Sequence, residues 1–319
     1  MKPIQTLYTA LRILPLFVLS GCSTLQLVNS VSRFYAADIE KDIQFSPGNP
    51  NLAYDLYLPP AAPSSKAPTP VIVFFYGGSW NRGNKDEYEF VGRRLAAMGY
   101  ITAIPNYRLY PEVSYPDFLR DGAQSIAHLK DTLRQTRYSR LKPDDRFIVM
   151  GHSAGAYNAA MISLDDRWLG EQGLTPSQQL RGFIGVAGAY NIYPINDMEV
   201  RPVFHHPNYP PKSQPIDHVQ ANSLPSLILA PESDNLVSIE INSVALNKAL
   251  QKAGSPSELV TVKGTDHITI IGTLSPVLFF KGSSTAPIQH FVDAVTGSIP
   301  QQVKGTHTTN QAHHAGSQP

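Results

Sequence analysis

Cysteine is almost missing from this chain: among 319 residues there is one, Cys22. A single thiol excludes an internal disulfide framework and a cysteine-based zinc site. Charge of one sign is missing as well. Lys and Arg number 26 against 25 Asp and Glu, the net charge is +1 and there is no basic block, so nucleic acid is not an implied partner. No apolar run reaches the about 20 residues a membrane span requires. Apolar residues make up 42% and charged ones 16%, the balance of a folded globular protein. Proline is plentiful, with 27 residues, and it clusters in "LPPAAPSSKAPTP" (Leu58 to Pro70) and "HHPNYPPKSQP" (His205 to Pro215). Such clusters read as rigid connections between elements.

The lone cysteine falls directly after the apolar stretch "ILPLFVLSG" (Ile13 to Gly21), which Lys2 and Arg12 precede. A positive flank, a short apolar run and a small-residue exit describe a secretory signal. "LSGC" (Leu19 to Cys22) resembles a bacterial lipobox, in which the cysteine is lipidated and becomes the new N-terminus. That resemblance implies a protein of the bacterial cell envelope, held to a membrane by lipid on Cys22. Ser23 after it is compatible with outer-membrane sorting in a Gram-negative cell. The expected layout is a signal peptide over 1–21, a tether over 22–42, one domain over 43–296 and a disordered tail over 297–319.

Within the domain, "NLAYDLYLP" (Asn51 to Pro59) alternates Leu52, Tyr54, Leu56 and Leu58 on one face, predicting a half-buried antiparallel strand. "PVIVFFYGG" (Pro70 to Gly78) is a continuous apolar run, as a central parallel strand covered on both faces requires. Further strands are expected at Tyr100 to Tyr107, Arg146 to Met150, Arg181 to Gly188, Leu224 to Ala230 and Ser257 to Gly264. Helices are expected at Asp86 to Met98, Asp117 to Thr132, from Ala154 onward, Val237 to Ala253 and Pro287 to Thr296. Alternation of strand and helix argues for an α/β fold with a mostly parallel central sheet and helices on both faces. Ligands bind such sheets at the carboxyl ends of the strands.

One strand end carries "GHSAG" (Gly151 to Gly155) between a buried strand and a small-residue helix. Gly-x-Ser-x-Gly in that setting is a nucleophile elbow, whose sharp turn exposes the hydroxyl of Ser153. The pattern alone occurs by chance in roughly one chain in ten of this length, so the strand–turn–helix context carries the assignment. A serine needs a base. Of the 10 histidines, His267 follows the last strand in "VKGTDHITI"; His152 reads as a packing residue, and His205 and His206 sit in a Pro-rich loop. The base needs an orienting carboxylate, for which Asp234 follows the preceding strand, with Glu232 as its rival and Asp266 read as a solvated loop acid. An oxyanion site needs two backbone donors. Ala154 after the serine is one; Gly78 and Ser79 in "YGGSW" supply the other.

"YGGSW", "NYRLYPE" (Asn106 to Glu112), "GHSAGAY", Asp234-x-x-Val237 and His267 fall in the order of a known family. From about Tyr54 to Val295 the chain resembles α/β-hydrolases of the esterase/lipase group with a His-Gly-Gly-x-Trp oxyanion loop, including carboxylesterases, feruloyl-esterase-like and kynurenine-formamidase-like proteins. Two departures stand out. Tyr76 replaces the usual histidine, which changes the support behind the loop, and Ala230-Pro231 replaces His-Gly before the acid.

The resemblance and the residues together imply a serine carboxylesterase acting through an acyl-enzyme, with no metal or organic cofactor. Its substrate would be a small or polymer-attached ester. An amidase or arylformamidase would use the same triad, and a non-catalytic envelope binding protein would keep only the scaffold. Ala189 to Ser223, with Tyr190, Tyr193, Phe204 and Tyr209, is expected to form a small cap.

Overall fold

A computed structural model describes residues 28–29, 31–61 and 67–297. The expected signal peptide, Cys22 and the tail beyond Gly297 lie outside the described residues.

Eight strands form one sheet in the order β1-β2-β4-β3-β5-β6-β7-β8. They are β1 (Asp38–Gln44), β2 (Ala53–Leu58), β3 (Thr69–Phe75), β4 (Ile101–Pro105), β5 (Pro143–His152), β6 (Leu180–Val186), β7 (Ser226–Pro231) and β8 (Ser257–Val262). β1, β2 and β4 pair antiparallel, and every pair from β4 across to β8 is parallel. The longer helices are α1 (Glu89–Ala97), α2 (Asp117–Leu133), α3 (Ala154–Leu164), α4 (Ala245–Lys252) and α5 (Thr285–Thr296). The fold class is the expected one.

β1 starts within the stretch expected to be a tether (22–42) and runs on to Gln44, and Val28 and Ser32 are already buried. The fold therefore begins earlier than residue 43. β2 is a second correction, because all six of its residues are buried. Its alternation is real but both faces are covered. Tyr54 turns to α2, where its hydroxyl donates to Thr132 Oγ1 at 2.8 Å. Tyr57, on the opposite face, lies under α1, so close that a Cβ at Gly92 would stand 2.4 Å from its ring. Asp55 shares that face and accepts from buried Lys85 Nζ at 2.7 Å.

The helices follow from their apolar spacing. α2 buries Phe118, Leu119, Ile126, Leu129 and Leu133 at intervals of one helical face. α3 is buried on all sides, which its small residues Ala156, Ala159 and Ala160 permit against β3, β5 and α2. The helix expected from Asp86 opens instead as a 3-10 turn at Lys85–Tyr88, capped by the Asn84 side chain, which accepts from the Asp86 and Glu87 N–H groups. The one expected from Val237 begins with a widened, π-type turn at Glu240–Val244 before α4. Gly297, at φ 74, ends α5 in the left-handed conformation that glycine adopts cheaply.

Candidate active site

Central strand β5 delivers Ser153 at its carboxyl end with φ 54 and ψ −121. Such positive-φ backbone costs a non-glycine residue of order 1–3 kcal/mol and persists only where its surroundings enforce it. Here the Ser153 N–H donates to the Val186 carbonyl at 2.9 Å, and the Ser153 carbonyl accepts from Ala156 at 3.0 Å. The flanking glycines are steric necessities. A Cβ on Gly151 would stand 2.1 Å from the Gly155 carbonyl oxygen, and one on Gly155 2.1 Å from that of Phe75.

Two further strand ends bring the partners. Asp234 follows β7 and His267 follows β8, and neighbouring pairing between those strands runs as far as Pro231 and Val262. His267 Nδ1 lies 2.7 Å from Asp234 Oδ2, and His267 Nε2 lies 2.9 Å from Ser153 Oγ. The ionised carboxylate can only accept, so Nδ1 carries the proton and Nε2 is left to accept from the serine hydroxyl. Asp234 Oδ1 accepts from the Leu236 and Val237 N–H groups at 2.9 and 2.8 Å, which fixes the carboxylate plane. Burial opposes its charge, but the bonds from His267 and from the Val237 backbone outweigh it and hold the carboxyl below its ordinary value.

The rivals are placed elsewhere. Glu232 is exposed and accepts from the Gly264 N–H at 2.9 Å, while its own N–H donates to the Thr265 carbonyl. The loop that departs at Ala230-Pro231 is thus held to the β8 side by backbone bonds and still presents Asp234 to His267. Asp266, expected to be merely solvated, caps the turn Thr269–Gly272 by accepting from the Ile268 and Thr269 N–H groups. His205 bonds the Tyr115 carbonyl, and His206 packs on Tyr209.

The loop after β3 carries an unusual backbone. Gly78, Ser79 and Trp80 all have positive φ, at 137, 53 and 57. The Gly78 carbonyl accepts from the Asn81 and Arg82 N–H groups, closing the turn. Ser79, Trp80 and Ala154 line the same cavity as Ser153 and His267; Gly78 is not among its lining residues. Behind the loop, Tyr76 stacks on Tyr107 with centroids 4.5 Å apart, and the Tyr107 hydroxyl donates to the Tyr76 carbonyl at 2.8 Å. An aromatic stack therefore backs the loop at Tyr76.

His152 is buried, as expected, yet it does more than pack. Its Nε2 lies 2.9 Å from the His267 carbonyl oxygen and its Nδ1 3.1 Å from the Tyr88 hydroxyl. Burial, reinforced by His267 nearby, pushes its pKa down to about 3. The available signal was a polar residue directly after the buried apolar run Phe147 to Gly151, at the last position of β5.

The cavity has a volume of about 430 Å³. One wall comes from the segment expected to be a cap, through Ile192, Pro194, Ile195 and Val200; another comes from Leu236, Val237 and Ile241 beyond the acid. Asn242, on the widened turn before α4, accepts from the Tyr190 and Asn191 N–H groups at 2.7 and 2.8 Å and so anchors the root of the cap segment.

This sheet, with a serine elbow on its central strand and partners at two later strand ends, defines an α/β-hydrolase fold. Solved structures share it. A truncated carbohydrate esterase from gut microbiota superposes with a TM-score of 0.66 at 18% identity over 82% of this chain and 98% of that one. An esterase of Pyrobaculum calidifontis does so with a TM-score of 0.65 at 18% identity, over 87% and 91%. The chain belongs to the BD-FAE family, whose model matches residues 54–250. It is 28% identical to the isoprenylcysteine alpha-carbonyl methylesterase ICME of Arabidopsis thaliana over 74% of this chain and 58% of that one. It is also 28% identical to a kynurenine formamidase of Danio rerio, over 69% of this chain and 72% of that one. The chain spans between 37% and 58% of the length of the plant methylesterases it matches.

Proposed function

We propose that the chain is a serine hydrolase of carboxylic esters. The observation that carries this reading is the bond sequence Asp234–His267–Ser153, at 2.7 and 2.9 Å, ending on a serine held at φ 54 in an open cavity. In this reading Ser153 Oγ attacks the ester carbonyl while His267 Nε2 takes its proton. Asp234 holds the tautomer and stabilises the imidazolium. The backbone N–H groups of Ala154 and of Gly78 or Ser79 stabilise the oxyanion, each such donor being worth about 10²–10³ in rate. His267 then protonates the departing alcohol, and water, deprotonated by the same imidazole, releases the acid from Ser153. The chain starting after Cys22 should hydrolyse p-nitrophenyl esters, Ser153→Ala should not, and a fluorophosphonate should add its mass to Ser153. Turnover that survives Ser153→Ala would sink the assignment.

The kynurenine formamidase relative supports a second reading, cleavage of an N-formyl amide by the same residues. Comparing kcat/KM for N-formylkynurenine and for phenyl acetate separates the two.

The LSGC pattern supports lipid attachment at Cys22 and a place in the bacterial envelope. Labelled palmitate should enter the expressed full chain and not its Cys22→Ala variant.

A further inference from the structure

The backbone donor of Gly77, the hydroxyl of Tyr88, both ring nitrogens of His152 and the carbonyl of His267 form one chain of hydrogen bonds. The Gly77 N–H lies 3.3 Å from Tyr88 Oη, Tyr88 Oη 3.1 Å from His152 Nδ1, and His152 Nε2 2.9 Å from the His267 oxygen. The direction of every bond is determined. A carbonyl can only accept, so His152 Nε2 must carry hydrogen; neutral imidazole then leaves Nδ1 bare, and Nδ1 accepts the Tyr88 proton. Tyr88 Oη keeps a lone pair for the Gly77 N–H. Gly77 opens the oxyanion loop, and His267 is the base.

We propose that Tyr88 and His152 are positioning residues that lock the base His267 and the oxyanion loop into one register. This inference rests on the serine hydrolase reading above. Packing supports it independently of the bonds. A Cβ on Gly77 would stand 3.0 Å from His152 Nδ1 and 3.1 Å from Ser153 Cβ, so the loop lies directly against both residues. The His152 and His267 rings are 5.3 Å apart. Tyr88 is 4% exposed and His152 3% exposed, so no solvent competes for the relay. Burial keeps the Tyr88 phenol protonated and His152 neutral. A neutral ring in this place holds the His267 main chain without adding a cation beside the imidazolium that forms in the reaction.

The test uses Tyr88→Phe, His152→Leu, His152→Gln and the double variant Tyr88→Phe/His152→Leu, with active sites counted by fluorophosphonate labelling run to completion. Loss of one buried hydrogen bond at a positioning residue should lower kcat per labelled site about tenfold in Tyr88→Phe, with KM within about twofold. His152→Leu should lose more. His152→Gln, whose amide can still donate to the His267 carbonyl, should recover part of that loss. The double variant should be no slower than His152→Leu, because the relay is already broken there. Variants that lose melting temperature and labelled fraction but keep kcat per labelled site would reduce the relay to scaffolding and overturn the proposal. ¹⁵N spectra of the histidine rings provide a readout free of turnover. They should show His152 as the neutral Nε2–H tautomer, also in Ser153→Ala, and the Nδ1–H form or a charged ring would overturn the relay. An inactive wild type with the expected tautomer would instead count against the hydrolase reading alone.

Discussion

Trp80 Nε1 donates to Asn158 Oδ1 at 3.0 Å, a bond that joins the loop after β3 to the helix after the serine. Both groups are buried, and the indole also packs edge-on against Tyr157 and Phe204. The positive-φ backbone of Gly78, Ser79 and Trp80 is thus held at its far end by a side chain. Asn158→Ala leaves the indole N–H without its acceptor. It is expected to cost about 1–3 kcal/mol in urea unfolding and to lower kcat more than it raises KM.

The carboxylates after β7 separate cleanly. Asp234→Asn should lower kcat roughly 10³–10⁴-fold, because the amide no longer enforces the Nδ1–H tautomer. Glu232→Gln, at an exposed side chain bound to the Gly264 N–H, should stay within about twofold. Equal losses would return Glu232 to contention. The carboxyl of Asp234 titrates below its ordinary 3.8, so the stability it contributes is complete above that pH and is lost only as pH falls through the lower folded value.

Glycine substitutions test the elbow against a neutral site. Gly155→Ala puts a methyl 2.1 Å from the Phe75 carbonyl oxygen and is expected to cost at least ~3 kcal/mol or prevent folding. Gly170→Ala, on a short helix with nothing within 4 Å of the added carbon, should gain about 0.5–1 kcal/mol. Urea midpoints of both variants check the contrast.

Most of the central sheet was legible in the sequence, because a covered parallel strand is a continuous apolar run; Ser153 and Asp234 each follow such a run, whereas His267 follows the half-exposed edge strand β8. β1 was not legible. "DIEKDIQ" has its exposed and half-exposed residues at a sheet edge, and its register shifts between Glu40 and Ile43, so no period-two signal survives. β2 showed its alternation but concealed its second buried face, since Asp55 is charged there and its cover, Lys85 and α1, comes some 30 residues later. The bonds of His152 were hidden for a similar reason. Its partners Tyr88 and His267 are 64 and 115 residues away, and no local pattern reports such a distance.

His152 also sets a pH dependence. Unfolded, it protonates near its ordinary 6.5, and folded it stays neutral down to about 3. The unfolded chain therefore binds the extra proton in that window. The stability tied to this residue is complete above pH 6.5 and drains as pH falls toward 3, at no more than ~1.4 kcal/mol per pH unit. The stability gap between wild type and His152→Leu should shrink on acidification; a gap constant from pH 7 to 4 would show that His152 is protonated in the fold.

Leu236 and Ile241 line the cavity while remaining 71% and 51% exposed. Apolar side chains left open at the rim of a cavity gain free energy only when something apolar covers them, at roughly 25 cal/mol per Å². An ester whose hydrophobic portion reaches that rim should bind through them, and a short acetate ester should not. Leu236→Ser and Ile241→Ser are therefore expected to leave kcat/KM for p-nitrophenyl acetate within about twofold while lowering it about tenfold or more for longer acyl or alkyl chains. Running the chain-length series separately on the acyl and the alcohol side identifies which half of the ester lies against Leu236. Equal losses for acetate and long-chain esters would mean that the two residues support the Asp234 loop and do not select the substrate.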